Sequence, residues 1–193
     1  MVGLVGAGIA GVQIYQSRVD VSSQVLPAFA PLVRSVTPIT TSTTPGMISY
    51  SPYPKTGEVI GTIFIPALKT TLPIIEGTGD KELKRGVGHF VGSVLPGQND
   101  NSVLAGHRDS VFSQLGKVAL GDLVVIRTKA GEFTYQVIKF RIVQADDRTV
   151  IVPTPSAILT LSTCYPFRFI GNAPKRYIVS AQLIATQLPA PTT

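Results

Sequence analysis

The sequence predicts an all-β domain with short helices, closed as a barrel or packed as a sandwich. Three observations carry this. Apolar stretches are short and many alternate with polar residues, the signature of half-buried strands. Turn residues punctuate them, with 18 Gly and 15 Pro in 193 residues. Strands do not alternate with amphipathic helices, so a parallel sheet of the βαβ kind is not expected.

Each element follows in order. Residues 59–65 (VIGTIFI) and 72–76 are apolar runs read as strands. Residues 79–85 (GDKELKR) form the best helical segment, with Asp80 near its N-terminus, where an anionic side chain suits the helix dipole. Residues 102–107 (SVLAGH) and 123–128 (LVVIRT) read as strands. Phe133, Tyr135 and Val137 alternate with polar residues; Ile138, Phe140 and Ile142 then alternate on the opposite phase. A phase switch between Val137 and Ile138 predicts a β-bulge in one long, bent strand. Strands at 157–163 and 177–184 complete the set, and no internal repeat is present.

Composition bounds the class. A chain of 193 residues is roughly one domain by a prior of about 150 residues, and it can bury a core without disulfides. A single Cys excludes an internal disulfide, and with two His it falls short of a Cys/His zinc site. With 15% charged residues and a mean hydropathy of +0.30, the chain is not disordered. The net charge is +6, but basic residues are scattered, the longest runs being Lys84-Arg85 and Lys175-Arg176. That is a surface of mixed charge, not a nucleic-acid face. Attraction to an anionic cell envelope carries less support.

Four regions are expected. Residues 1–20 are an apolar N-terminal segment, uncharged through residue 17 and with Arg18 as the first basic residue. The apolar part, 1–14, is shorter than the roughly 20 residues of a bilayer span and lacks the basic start of a signal peptide. It reads as a membrane anchor, whole or truncated. Gly6, Gly8 and Gly11 spell GxGxxG, but little precedes them and after Asp20 the next acidic residue is Glu58, so a dinucleotide site is rejected. Gly3, Ala7 and Gly11 would instead allow close packing between apolar helices. Residues 21–53 read as a spacer, Ser/Thr/Pro-rich at 35–45. Residues 54–187 form the folded domain, and 188–193 a tail.

The chemistry centres on one thiol. Cys164 follows an apolar, β-branched run and precedes Tyr165-Pro166. Proline stops the strand, so Cys164 sits at a strand end, where a side chain can face a cleft. A buried structural cysteine is the alternative. His107 also ends an apolar run, before a turn at Asp109-Ser110, and Arg176 opens the last strand 12 residues after Cys164. Cys164 lies beside Arg176 if those two strands are antiparallel neighbours. A thiol near a His and an Arg suits acyl transfer: the thiolate attacks a carbonyl, the imidazole moves protons, and a cation steadies the oxyanion.

These residues resemble the sortase family. Thr160-Leu161-Ser162-Thr163-Cys164 is similar to its TLxTC signature, Gly106-His107-Arg108 to its histidine motif, and Arg176 within Lys175-Arg176-Tyr177-Ile178-Val179 to its arginine. Gly86-Val87-Gly88-His89, Leu95-Pro96-Gly97 and Asn101 to Gly106 agree as flanks, and Cys164 to Phe167 with Gly171-Asn172-Ala173-Pro174 looks most like class D. The resemblance covers about residues 48–183.

It implies a closed eight-stranded sortase-type β-barrel and a cysteine transpeptidase anchored at the extracytoplasmic face of a Gram-positive membrane. Such enzymes cut an LPxTG-like signal (LPxTA in some) of a surface protein after Thr. They form a thioacyl enzyme and pass the acyl group to an amine of a peptidoglycan precursor. Carried over, Cys164 is the nucleophile, His107 the general acid/base and Arg176 the substrate-orienting cation, with Thr163, Ala105 and Leu161 as substrate contacts. No cofactor, metal or nucleic acid is implied, and a monomer is expected. His89 is assigned a structural or groove-wall role. Asp146-Asp147 is too small a set for the 6–8 oxygens calcium takes. Asp109 is read as a turn residue. Papain-like, caspase-like and L,D-transpeptidase readings fail on chain order or motif. A hydrolysis-only enzyme and a non-catalytic peptide-binding barrel remain as alternatives.

Overall fold

The computed structural model describes residues 48–168, 171 and 173–189. The expected anchor at 1–20, most of the spacer and the last four residues of the tail lie outside them. Among the described residues no helix is long and apolar enough to cross a membrane.

Eight strands form a closed barrel. They are β1 (Val59–Ile65), β2 (Thr70–Glu76), β3 (Val87–His89), β4 (Asn101–Ala105), β5 (Leu123–Thr128), β6 (Gly131–Gln144), β7 (Ile158–Tyr165) and β8 (Lys175–Gln187). Their order around the barrel is β1-β2-β3-β4-β7-β8-β6-β5, and β5 pairs back onto β1. One short helix, α1 (Asp80–Leu83), lies between β2 and β3, and 3-10 turns occupy Pro66–Leu68 and Leu115–Lys117. Among the described residues, closure leaves the barrel without a free sheet edge.

The strands read from the sequence are present, and the bulge falls where the phase switches: the β6–β8 register shifts between Val137 and Lys139. The bulge lets Val137 stay in the core while Ile138 turns outward to half exposure. β3 was not anticipated, because three residues, Val87-Gly88-His89, are too few to show a period. Gly88 at its centre is needed for close approach: a Cβ there would meet the Gly77 carbonyl oxygen at 2.4 Å and the Leu83 side chain at 2.9 Å.

The expectation against parallel pairing holds for the barrel as a whole but not for two joints. β2 pairs with β3, and β4 with β7, in parallel. The β2–β3 crossover carries the one-turn helix α1, and the β4–β7 crossover carries the β5–β6 hairpin. The β4–β7 joint matters most, because it brings together segments far apart in the sequence.

The core fills the barrel with Ile63, Ile65, Ile74, Leu104, Val124, Ile126, Phe133, Tyr135, Leu159, Leu161 and Val179. Tyr50, from the segment read as spacer, is also buried there. Its hydroxyl donates to the Pro96 carbonyl at 2.6 Å and meets Thr128 Oγ1 at 3.1 Å. Burial pushes its phenol up to about 12.

Candidate active site

Strand alternation sorts β4 and β7 into two faces. Leu104 and, opposite it, Leu161 point into the core. Val103 with Thr160, and Ala105 with Ser162, are paired on the other, outer face. Two residues further along each chain, the same phase arrives at His107 and Cys164. The ladder is still held there, since Gly106 N–H donates to the Ser162 carbonyl at 3.1 Å.

Cys164 is the penultimate residue of β7 and partly exposed, which removes the buried structural reading. Directly across the antiparallel β7–β8 ladder stands Arg176, the second residue of β8. Its Nη1 donates to the carbonyls of Ala173 at 3.2 Å, in the connection between the two strands, and of Lys175 at 3.0 Å, the first residue of β8. Cys164 and Arg176 are therefore cross-strand partners at the end of β7, and the turn bearing His107 leaves β4 beside them. Such a set can attack a carbonyl, shuttle a proton and bind an oxyanion.

Two ties hold the histidine turn against the cysteine strand. Thr163 is buried, and its Oγ1 donates to the Gly106 carbonyl at 2.8 Å. Arg108 Nη2 donates to the Gly171 carbonyl at 2.8 Å, joining the turn to the β7–β8 connection. Gly106 is pressed onto Phe112, whose ring a Cβ would meet at 2.6 Å. Behind the site, Tyr177 stacks on Tyr165 and Phe140, with ring centroids 6.2 and 5.9 Å away, and meets Phe167 edge-on at 5.3 Å. Burial, with Tyr165 alongside, raises the Tyr177 phenol.

The expected substrate contacts divide. Ala105 is partly exposed on the outer face, beside Ser162. Leu161 does not belong with it: its side chain is fully buried in the core, because alternation turns it inward with Leu159. Thr163 spends its hydroxyl on Gly106 and braces the site from within.

His89 is fully buried and stands apart from this set. Its Nδ1 lies 2.8 Å from Glu76 Oε2, and its Nε2 lies 3.0 Å from the Val94 carbonyl and 3.1 Å from Ser93 Oγ. Ser93 gives its own proton to the Phe90 carbonyl, so Nε2 is the donor to both neighbours. With both ring nitrogens engaged, His89 is structural. Asp147 is likewise engaged: its Oδ1 accepts from Thr149 N and Oγ1, and Oδ2 from Arg141. Those bonds lower its carboxyl, the Thr149 hydroxyl first. Among the described residues no three His, Cys, Asp or Glu side chains gather into a metal-binding group.

A cleft of about 270 Å³ opens on the side of the barrel where β4 begins, between the β3–β4 and β6–β7 connections. Tyr53, Val91, Val94, Ile151, Val152 and Pro153 supply its apolar lining. Sequence reasoning missed this cleft, since its walls come from loops without period. It also missed Arg108, although the residue adjoins His107.

Comparison with known proteins places these features in a family. A sortase domain model matches residues 63–184. Sortase D of Bacillus subtilis (strain 168) is 38% identical over 182 residues, 92% of this chain and 91% of that protein. The structure of sortase E from Streptomyces avermitilis superposes with a TM-score of 0.61 and 32% identity, covering 70% of this chain and 93% of that one. The Sortase D5 transpeptidase of Clostridium perfringens gives a TM-score of 0.63 and 30% identity, over 69% and 83%. A closed eight-stranded barrel, a partly exposed strand-end cysteine opposite an arginine, and a family match from within β1 to within β8 lead to one conclusion: the chain belongs to the sortase family of cysteine transpeptidases.

Proposed function

We propose that this sortase cleaves an LPxTG-like sorting signal after Thr and transfers the acyl group, through a thioacyl intermediate on Cys164, to an amine of a cell-wall precursor. The observation that carries this reading is the convergence of Cys164, Arg176 and the His107 turn at one end of one barrel face. Cys164 Sγ, as thiolate, attacks the Thr carbonyl carbon. The oxyanion that forms is steadied by the Arg176 guanidinium. Protonated His107 gives its proton to the departing amine nitrogen as the C–N bond breaks, leaving a thioester. The incoming amine attacks that thioester, His107 takes up the amine's proton, and the thiolate leaves. Each proton moved in the first half is recovered in the second, so the cycle needs no external acid, base or oxidant.

The cleft at the start of β4 supports a peptide substrate. Its apolar walls suit side chains of a peptide laid along β4 and β7, on the stretch that lies upstream of the cut at Cys164. Residues 1–20 would hold the enzyme at the extracytoplasmic face of the membrane, where surface proteins and precursor meet.

The test is incubation with LPxTG- and LPxTA-type peptides plus hydroxylamine, read by mass spectrometry beside Cys164→Ala. Cleavage after Thr with hydroxamate formed, absent in the variant, is expected. Free acid alone would indicate a hydrolase. No cleavage of either peptide would leave the barrel as a binder or move the signal elsewhere.

A further inference from the structure

We infer that Asn101 is a positioning residue for peptide recognition: with Asp100 it clamps the β6–β7 connection into place as one wall of the cleft. The inference rests on the peptide-groove reading above and deepens it. Asn101 opens β4 on the outer face and is buried, with all its amide partners in hand. Its Nδ2 donates to the carbonyls of Val150 at 3.1 Å and Val152 at 3.2 Å, and its Oδ1 accepts from Thr160 Oγ1 at 2.7 Å. Only one orientation of the amide satisfies all three, because two carbonyls need donors and the hydroxyl needs an acceptor.

Asp100 grips the next stretch of the same connection. One carboxylate oxygen accepts from Asn101 N at 2.7 Å and from Thr154 N at 2.6 Å, and its carbonyl accepts from Ile158 N at 3.0 Å. Asp100 does this at φ 139, a backbone conformation that disfavours a side chain and persists only where the surroundings hold it. The segment 150–154 is thus pinned at three points by two consecutive residues.

What is pinned is the wall itself. Ile151 and Val152 stay 48% and 43% exposed, and both line the cleft opposite Val91 and Val94. With the carbonyls of Val150 and Val152 turned inward to Asn101, the apolar side chains of Ile151 and Val152 are left for a ligand. A loop held this way pays little ordering entropy on binding, so the clamp acts on peptide affinity rather than on bond-making at Cys164.

Asn101→Asp keeps shape and volume but replaces two donors with a carboxylate oxygen facing two carbonyls. Thr160→Val removes the hydroxyl that orients the amide and leaves Asn101 in place. In the full chain, Asn101→Asp should raise the KM for an LPxTG-type peptide about tenfold, the loss of roughly two ordinary hydrogen bonds, with kcat held within about twofold. Thr160→Val should do the same more weakly. Amide hydrogen exchange should quicken across 148–154 in both variants and stay unchanged in β6 and β8. A fall in kcat at constant KM, or unchanged exchange in 148–154, overturns the inference. Two readouts separate its failure from that of the groove reading. Peptide titration onto Cys164→Ala, with and without Asn101→Asp, reports affinity without turnover. If the wild type neither cleaves nor binds the peptide, the groove reading and the affinity role fall together, while exchange still decides whether Asn101 clamps the loop.

Discussion

The hydroxyl of Thr163 is bonded to the carbonyl of Gly106, so the residue before the cysteine grips the residue before the histidine at 2.8 Å. The bond is buried and spans two strands that run parallel. Through this bond β7 acts directly on the position of the His107 turn. Thr163→Val keeps the volume and deletes the donor, leaving a buried carbonyl unpaired. We expect kcat for peptide cleavage to fall about tenfold, since small misplacements of reacting groups are costly, with peptide KM changed by less than about twofold. Thr163→Ser should retain most of the rate. Steady-state kinetics on the three proteins decides this, and an unchanged kcat in the Val variant would remove the bracing role.

Arg176 makes a different prediction, because its position is fixed by the ladder and its guanidinium by two backbone carbonyls. Arg176→Ala should lower kcat by about 10²–10³, the usual effect of losing one oxyanion donor. Arg176→Lys keeps the charge but not the planar fork, so it should restore only part of that rate. The Cys164 thiol should still react with iodoacetamide in both variants. If Lys restores full activity, charge alone suffices and the fork is not used.

The pair of Glu76 and His89 predicts a stability effect without a catalytic one. Both side chains are buried and 2.8 Å apart. Glu76→Ala should destabilise the barrel by about 3–5 kcal/mol, the cost of stranding one half of a buried pair. Urea unfolding followed by fluorescence or circular dichroism would show it. Activity per folded molecule should be unchanged at low urea, and a selective loss of kcat would return His89 to the reaction.

Tyr50 gives a pH dependence. Its phenol is pushed up to about 12 from an ordinary 10, chiefly by burial. Between those values the unfolded chain binds fewer protons than the folded one, so stability is full below pH 10 and falls as pH rises toward 12. Burial raises Tyr135 in the same direction. Tyr50→Phe should cost about 1 kcal/mol near neutrality, through the lost bond to Pro96, yet flatten the alkaline fall. Urea midpoints at several alkaline pH values measure both. A slope equal to the wild type's would mean that other groups control it.

What the sequence makes legible is what local pattern controls. The strand at Val59–Ile65 ends where its apolar run ends, and the bulge near Val137 announces itself as a change of phase. The facing of Cys164 and Arg176 follows from two strands joined by one connection. What stays hidden depends on partners distant in the chain. β3 is three residues long and exists because β2 and β4 flank it. The apolar wall at Ile151 and Val152 looks like any loop until Asn101 is placed beneath it. Leu161 shows the opposite error: it lies inside the signature motif, yet the alternation of its own strand turns it inward.

The parallel joint between β4 and β7 has a consequence for how the active chain comes into being. The residues it ties at Thr163 and Gly106 are 57 apart, with the whole β5–β6 hairpin between them. Hairpins such as β5–β6 close locally and early, whereas a pairing of that sequence separation waits until loop-closure entropy has been overcome. During refolding from denaturant, the far-ultraviolet signal of β-structure should therefore recover ahead of peptide cleavage. The catalytic face, like the β1–β5 closure, is one of the long-range seams of the barrel, and turnover is the clock that records its closing.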